Sequence, residues 1–222
     1  MPDLLEPVPK LNPTPISRWK PEGKHSFLLQ RLAGARPEES FLDVLHKREC
    51  RRKFSPASPA RFGELLHLAH SAKSSYINDA GFEVEQRNVI SSGALHAIHI
   101  LFNQPSQPNW YWYDPHTHSA IEVALPRSVL ADKARDFFNS STAATVIWYV
   151  ADLDLISAKY DNPLSLVWRD AGAVQSVHSL ISEHIGLAYC PLGISGMAEA
   201  ALLSDERQLQ GMGLALVGDR II

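Results

Sequence analysis

Cysteine is nearly absent. Cys50 and Cys190 are two in 222 residues and lie far apart, so neither a disulfide framework nor a four-thiolate zinc site can be assembled from them. Long apolar runs are missing as well. The longest, such as "AATVIWYVA", are too short to span a bilayer, and the opening "MPDLLEPVPK" lacks the basic-then-apolar order of a signal peptide. No membrane association is expected, and the cytoplasm is the expected location. Charge of one sign is also scarce. A formal net charge of -3 gives no electrostatic footprint for nucleic acid or anionic lipid, so a small molecule or another protein is the expected partner. There is no glycine-rich phosphate loop, no "HExxH" and no nucleophile elbow. No internal repeat is seen either.

What is present is 45% hydrophobic sequence, enough for one sizeable core. The first stretch carries prolines at 2, 7, 9, 13, 15 and 21, which fix backbone angles and remove amide donors. Residues 1–25 are therefore expected to form a proline-rich arm. Its apolar groups Leu4, Leu5, Val8, Leu11, Ile16 and Trp19 favour an arm laid over a neighbour, and residues 26–222 form the expected domain. Helical readings follow at "SFLLQRLAGA" and at "EESFLDVLHKR", the latter with Phe41, Val44 and Leu45 on one side. A better-marked helix spans about 58–73, with Ser58 as cap and Pro59 at the first helical position. "AIHILFN" reads as a strand, and "NWYWYDPHTHSAIEVAL" as two strands joined through "DPHT". Residues 126–138 read as a helix with Val129, Leu130, Ala134, Phe137 and Phe138 inward. "AATVIWYVADL" is apolar on both alternating faces, as in a strand covered on both sides. A long helix then runs from a cap at Asn162 and Pro163 through Val167, Ala171, Val174, Val177, Ile181 and Ile185 to Gly186. "GLALVGD" is the last strand. The pattern predicts an α+β fold with a mostly antiparallel central sheet flanked by helices.

Three stretches and one dipeptide carry candidate chemistry. "HKRECRRKF" holds Lys47, Arg48, Arg51, Arg52 and Lys53; alone it reads either as a solvated helix end or as a phosphate clamp. "RNVISSGALHAIHILF" sets two hydroxyls and a glycine before a strand, where backbone can approach a flat ligand closely. "IGLAYCPLGISG" taken alone is a turn. The dipeptide is Lys159–Tyr160, immediately before the long helix. Glu64, His67 and His70 fall at spacings of three on the predicted helix, which is half of a metal site without a visible complement; a solvated helix face is the expectation, with no metal. His116 and His118 flank a turn and are expected to be exposed, while His178 and His184 are expected in packing or at an interface. Cys50 and Cys190 have no base beside them in sequence and read as small hydrophobes.

In this order the stretches resemble the FMN-dependent nitroreductase-like superfamily, from about residue 45 onward. "RECRRKF" is similar to its "RRSxRxF" entry, which puts Arg48, Glu49, Cys50 and Arg52 at the ribityl-phosphate and ring. Cys50 and Glu49 depart from the usual serine and basic residue. "ISSGALHA" is similar to its "PSxGxLHP" loop, placing Ser91, Ser92, Gly93, Leu95 and His96 beside the flavin, with Ile90 and Ala97 replacing two prolines. "IGLAYCPLG" is similar to "GLGxxPxG" and gives Pro191, Leu192 and Gly193 for backbone contact near the flavin's reactive edge. Of the family's basic residues near the C-terminus, Arg220 remains.

Within the superfamily, "AKYDNPLSLVWRDAGAVQSV" resembles the azoline oxidases of thiazole/oxazole-modified microcin synthetases, which carry a Lys-Tyr pair before this helix. That resemblance implies an FMN-dependent oxidoreductase that is a homodimer with the flavin between two chains. It would oxidise thiazolines or oxazolines of a precursor peptide, in bacterial peptide natural-product maturation, to thiazoles or oxazoles. Lys159 is the implied base and Tyr160 its helper, with oxygen as final acceptor and the cyclodehydratase on separate subunits. A lysine at the positive end of a helix and shielded from water loses its proton more readily than an ordinary lysine of pKa about 10.4. The alternatives are an NAD(P)H-dependent nitroreductase or quinone reductase, and a flavin-free scaffold subunit of a synthetase complex.

Overall fold

Short apolar runs punctuated by proline and glycine set the elements of the computed structural model, which describes residues 5–34, 38–138 and 142–221. In chain order these are β1 (Val8–Pro9), β2 (Ser26–Leu28), α1 (Phe41–Lys47), β3 (Phe54–Ser55), α2 (Pro59–His70), β4 (Ser74–Ile77), β5 (Glu83–Gln86) and β6 (Ile98–Asn103). There follow β7 (Asn109–Asp114), β8 (Ser119–Pro126), α3 (Ala131–Asp136), β9 (Thr145–Asp152), α4 (Leu153–Lys159), β10 (Tyr160–Asp161), α5 (Leu164–His184), β11 (Leu187–Leu192) and β12 (Leu209–Arg220). One sheet runs in the order β11-β12-β9-β6-β7-β8-β2, with β3 on the far end of β12. Its pairings are all antiparallel. This is the expected α+β architecture.

Strand β9 sets the layer order. All its residues are buried. Ile147, Tyr149 and Ala151 pack with Phe62, Leu65 and Leu66 of α2 and Val167, Ala171 and Val174 of α5. Val146, Trp148 and Val150 enter a second layer with Trp19, Leu130 and Ala134. Each such aliphatic side chain contributes about 1.5–3 kcal/mol when taken from water, so a strand apolar on both faces is driven to the middle. The proline at the start of α2 and the left-handed Gly186 (φ 79°) after α5 bound those helices as the sequence predicts.

Several expectations are corrected. "SFLLQRLAGA" forms no helix over its described residues. Ser26–Leu28 pairs with Ile121–Ser119 as the sheet's edge strand, and Phe27 packs edge-on to Tyr111. Ala35, at the end of that reading, lies outside the described residues. In α1 only Val44 is buried, while Phe41 and Leu45 stay exposed. The helix read over 126–138 shrinks to α3, because Pro126 belongs to β8, Leu130 takes φ 68°, and Phe137 is exposed. Ser58 makes no side-chain cap. Asn162 has φ 52° and sends its amide to the Glu6 carbonyl (3.5 Å), so Pro163 alone starts α5. "LAYCPL" is not a turn but the edge strand β11.

The arm crosses its own chain. Val8 and Pro9 pair with Asp161 and Tyr160, and the Lys10 amide donates to the Lys159 carbonyl at 2.9 Å. Farther along, Arg18 meets Glu85 at 2.7 Å and the buried Trp19 donates its amide to Asp152 Oδ2 at 3.1 Å. Leu5, Val8 and Leu11 remain exposed, and Leu4 lies outside the described residues.

Candidate active site

The Lys159–Tyr160 pair is not in a solvated loop. Asp152 caps α4 through a 3.0 Å bond from the Leu155 amide, and the helix ends on Lys159; Tyr160 then turns into β10 under the arm. Both side chains are half-buried. The Lys159 ammonium donates to the Gly93 carbonyl at 3.3 Å and stands 5.8 Å from the Phe82 ring centre. Gly93, at φ 60°, has no room for a side chain, since a Cβ there would lie 2.6 Å from both Lys159 Nζ and the Tyr160 hydroxyl. Two stretches 66 residues apart in sequence thus meet in one cluster.

Burial lowers the Lys159 pKa, and burial followed by Asp170 raises that of Tyr160. The end of α4 works against the contribution expected from the start of α5. Lys159 ends α4, whose negative pole favours the ammonium, so desolvation carries the shift alone.

Asp170, which sequence reasoning missed, organises the rest of the loop. The Ser91 hydroxyl donates to its Oδ2 at 3.0 Å, and the Ser92 amide and hydroxyl donate to it at 2.9 Å. The signal was available: an acid falling between Val167 and Val174 on the apolar stripe of a helix must find donors. Leu95 is fully buried with its carbonyl on Arg18, and the buried His96 reaches the Glu85 carbonyl at 2.9 Å. Burial, then the Arg87 charge, lowers the His96 pKa to about 4.

The other two stretches gather elsewhere. Arg48, Cys50, Tyr189 and Pro191 line an open groove of about 470 Å³ along α5, opposite Gly172, Gln175, Ser176 and Ser179. A Cβ added at Gly172 meets nothing within 4 Å, so the groove wall there is open; Gly193, outside the groove's lining, has open space around it as well. Arg48 makes no ion pair among the described residues. Glu49 is exposed and pairs with Arg51 at 3.3 Å; Arg51 also pairs with the buried Glu183. Arg52 lies over the Phe138 ring at 5.1 Å, and Leu192 is packed in the second core layer. A free guanidinium, an amide, two hydroxyls and open space at Gly172 can accommodate a group that carries a phosphate.

One chain does not bring the two clusters together. Asp170 and Gly172 are two residues apart on α5, about 160° around its axis at 3.6 residues per turn. The Lys159–Gly93 cluster therefore lies on the other side of the helix from the groove.

The histidine expectations are partly overturned. Glu64 and His70 are buried rather than solvated, with Glu64 accepting from Arg31 and the Leu32 amide. His178 is fully buried, and Cys190 is buried whereas Cys50 is exposed. Among the described residues no group of three or more His, Cys, Asp or Glu side chains is placed to hold a metal ion, and no helix is long and apolar enough to cross a membrane.

No protein-family model matches the sequence, and no curated protein does. Solved structures do share its fold. A protein described as a nitroreductase from Ralstonia eutropha JMP134 superposes with TM-score 0.66 at 15% identity, covering 98% of this chain and 100% of that one. A chain of the E. coli microcin synthetase McbBCD complex, with truncated pro-MccB17 bound, matches with TM-score 0.58 at 16% identity over 88% and 79% of the two chains. A protein described as a nitroreductase in complex with FMN, from Desulfovibrio desulfuricans, matches with TM-score 0.55 at 14% identity over 84% and 89%. The fold is that of the nitroreductase-like proteins.

Proposed function

We propose that the protein is an FMN-dependent oxidoreductase that converts thiazolines or oxazolines of a precursor peptide into thiazoles or oxazoles. The observation that carries this reading is the half-buried Lys159–Tyr160 pair packed on Gly93, in a fold shared with a microcin synthetase subunit. FMN, when bound, would accept the two electrons of the oxidation together with the hydrogen of the neighbouring ring carbon, as a hydride. Arg48 would hold its phosphate, and Cys50, Gln175, Ser176, Ser179 and Pro191 of the groove would line the rest of its site. Ser91 and Ser92, fixed by Asp170, shape the loop that carries Gly93. Lys159 in its neutral form takes the Cα proton of the heterocycle at Nζ, and the Tyr160 hydroxyl orients the ring beside it. A peptide lying over the pair removes further water and lowers the lysine pKa again.

Because the groove and the Lys159 cluster lie on different sides of α5, a homodimer in which each chain completes the other's site is part of the proposal. Exposed Phe41, Leu45, Leu164 and Trp168 supply apolar surface for it on α1 and α5. Separate cyclodehydratase subunits supply the azoline.

The test is Lys159→Ala assayed on an azoline-bearing peptide, with flavin occupancy read from visible absorbance. Loss of about 10²-fold or more in turnover at unchanged occupancy is expected for removal of a general base. Retained turnover refutes the role of Lys159. The neighbours described as nitroreductases favour a second reading, an NAD(P)H-dependent nitroreductase or quinone reductase. Rapid bleaching of the flavin by a reduced nicotinamide, with no azoline turnover, selects it.

A further inference from the structure

The core contains a line of polar groups that the chemistry above does not use. His70 at the end of α2 and His178 in the middle of α5 meet through their Nε2 atoms at 2.8 Å, one donating and one accepting. His178 Nδ1 is 2.9 Å from the Tyr149 hydroxyl on β9, and Tyr149 is 2.8 Å from the Tyr189 hydroxyl on β11. All four side chains are buried. The residues at the two ends of the line each border a cavity. Tyr189 lines the groove along α5, and His70 lines a separate cavity of about 380 Å³ beneath the arm, together with Trp19, His99 and Trp112.

Burial of polar groups costs free energy that an apolar core avoids, and hydrogen bonds at best offset it. A structural role asks only that each group find a partner nearby. It does not ask for groups that each both donate and accept, strung without a break between two cavities. We propose that His70, His178, Tyr149 and Tyr189 form a proton relay between the α5 groove and the cavity under the arm. Tyr189 gives its hydroxyl proton to an acceptor in the groove and takes one from Tyr149. Tyr149 takes one from His178 Nδ1, and His178 takes one at Nε2 from His70. His70 regains a proton at Nδ1 from water in the arm cavity. One proton crosses, no electrons move, and all four groups end neutral with every hydrogen bond reversed. A proton passing the other way resets the line, which suits a site that takes up a proton in one half of its cycle and releases one in the other. Every member is held neutral in the resting chain: burial lowers the pKa of His70 and that of His178, the latter to about 3, and raises those of Tyr149 and Tyr189. The line therefore carries protons without storing charge.

The proton acceptor in the groove rests on the flavin reading, but the relay has a readout of its own. In the flavin-free protein, ¹⁵N NMR of labelled histidine reports which nitrogen of His178 is protonated. The relay requires both tautomers to exchange. Tyr189→Phe leaves Tyr149 only His178 to donate to, so His178 shifts wholly to the Nε2–H form. A single His178 tautomer in the wild type, unchanged by Tyr189→Phe, overturns the relay. In protein loaded with FMN, Tyr149→Phe should slow proton uptake during photoreduction by about 10²-fold, the scale of one lost acid–base step. His70→Ala should slow it too and be rescued by added imidazole. Unchanged proton uptake in a folded Tyr149→Phe variant overturns the relay. Failure to bind FMN, with the tautomer coupling intact, counts against the flavin reading alone.

Discussion

Acid should strongly destabilise this protein well above the pH at which carboxylates titrate. His70, His96, His99 and His178 are all buried, and burial is the first cause of the lowered pKa of each. The folded values are about 4 for His96 and about 3 for His99 and His178, with His70 well below the ordinary value. Unfolded histidine titrates near 6.5, so below that pH the unfolded chain binds protons that the folded chain refuses. Stability is complete above the unfolded pKa, falls as pH drops through about 6.5, and stops falling on this account only near the folded values. Between about pH 7.5 and about pH 5.5 the loss is about 1.4 kcal/mol per histidine, so about 5 kcal/mol for these groups together. A domain with a total stability of about 5–15 kcal/mol is brought close to unfolding by that amount. Urea melts at fixed protein concentration across this range, fitted with a common m-value, measure it directly. The slope of stability against pH near the acid end should correspond to uptake of about four protons, falling to about three in His178→Gln. A stability that is flat within about 1 kcal/mol over the range would show that these rings are not held neutral in the fold.

Two further outcomes follow from the packing. Gly93→Ala forces a side chain onto both Lys159 Nζ and the Tyr160 hydroxyl at a φ of 60°, so stability should fall by about 1–3 kcal/mol and turnover should fall toward the Lys159→Ala level; wild-type melting and turnover would refute the contact. Trp19→Ala removes the buried anchor of the arm, so the protein should lose about 3–5 kcal/mol and gain early tryptic cleavage at Lys10 and Arg18, whereas an unchanged digestion pattern would show that the arm is held elsewhere.

Periodicity made much of this fold legible. The doubly apolar run at 145–152, the spacing of Phe62, Leu65, Leu66 and Ala69, and that of Val167, Ala171 and Val174 report burial directly, because burial of these side chains is what forms the elements. Elements held by pairing rather than by their own pattern were misread. Ser26–Leu28 is an exposed edge strand fixed by β8, and "LAYCPL" resembles a turn until β12 lies beside it. The Lys159–Tyr160 pair was visible in the sequence, but its environment was not: the helix ending on Lys159, the glycine floor at Gly93 and the arm strand alongside all come from distant parts of the chain. That Asp170 needed donors was readable from its place on an apolar stripe, but not that Ser91 and Ser92 supply them, nor that a line runs from His70 to Tyr189. Residue type and spacing determine which side chains leave water. Which buried polar groups become partners is decided only when the sheet and its covering helices close, because a hydrogen bond depends on distance and direction between atoms that the sequence does not order.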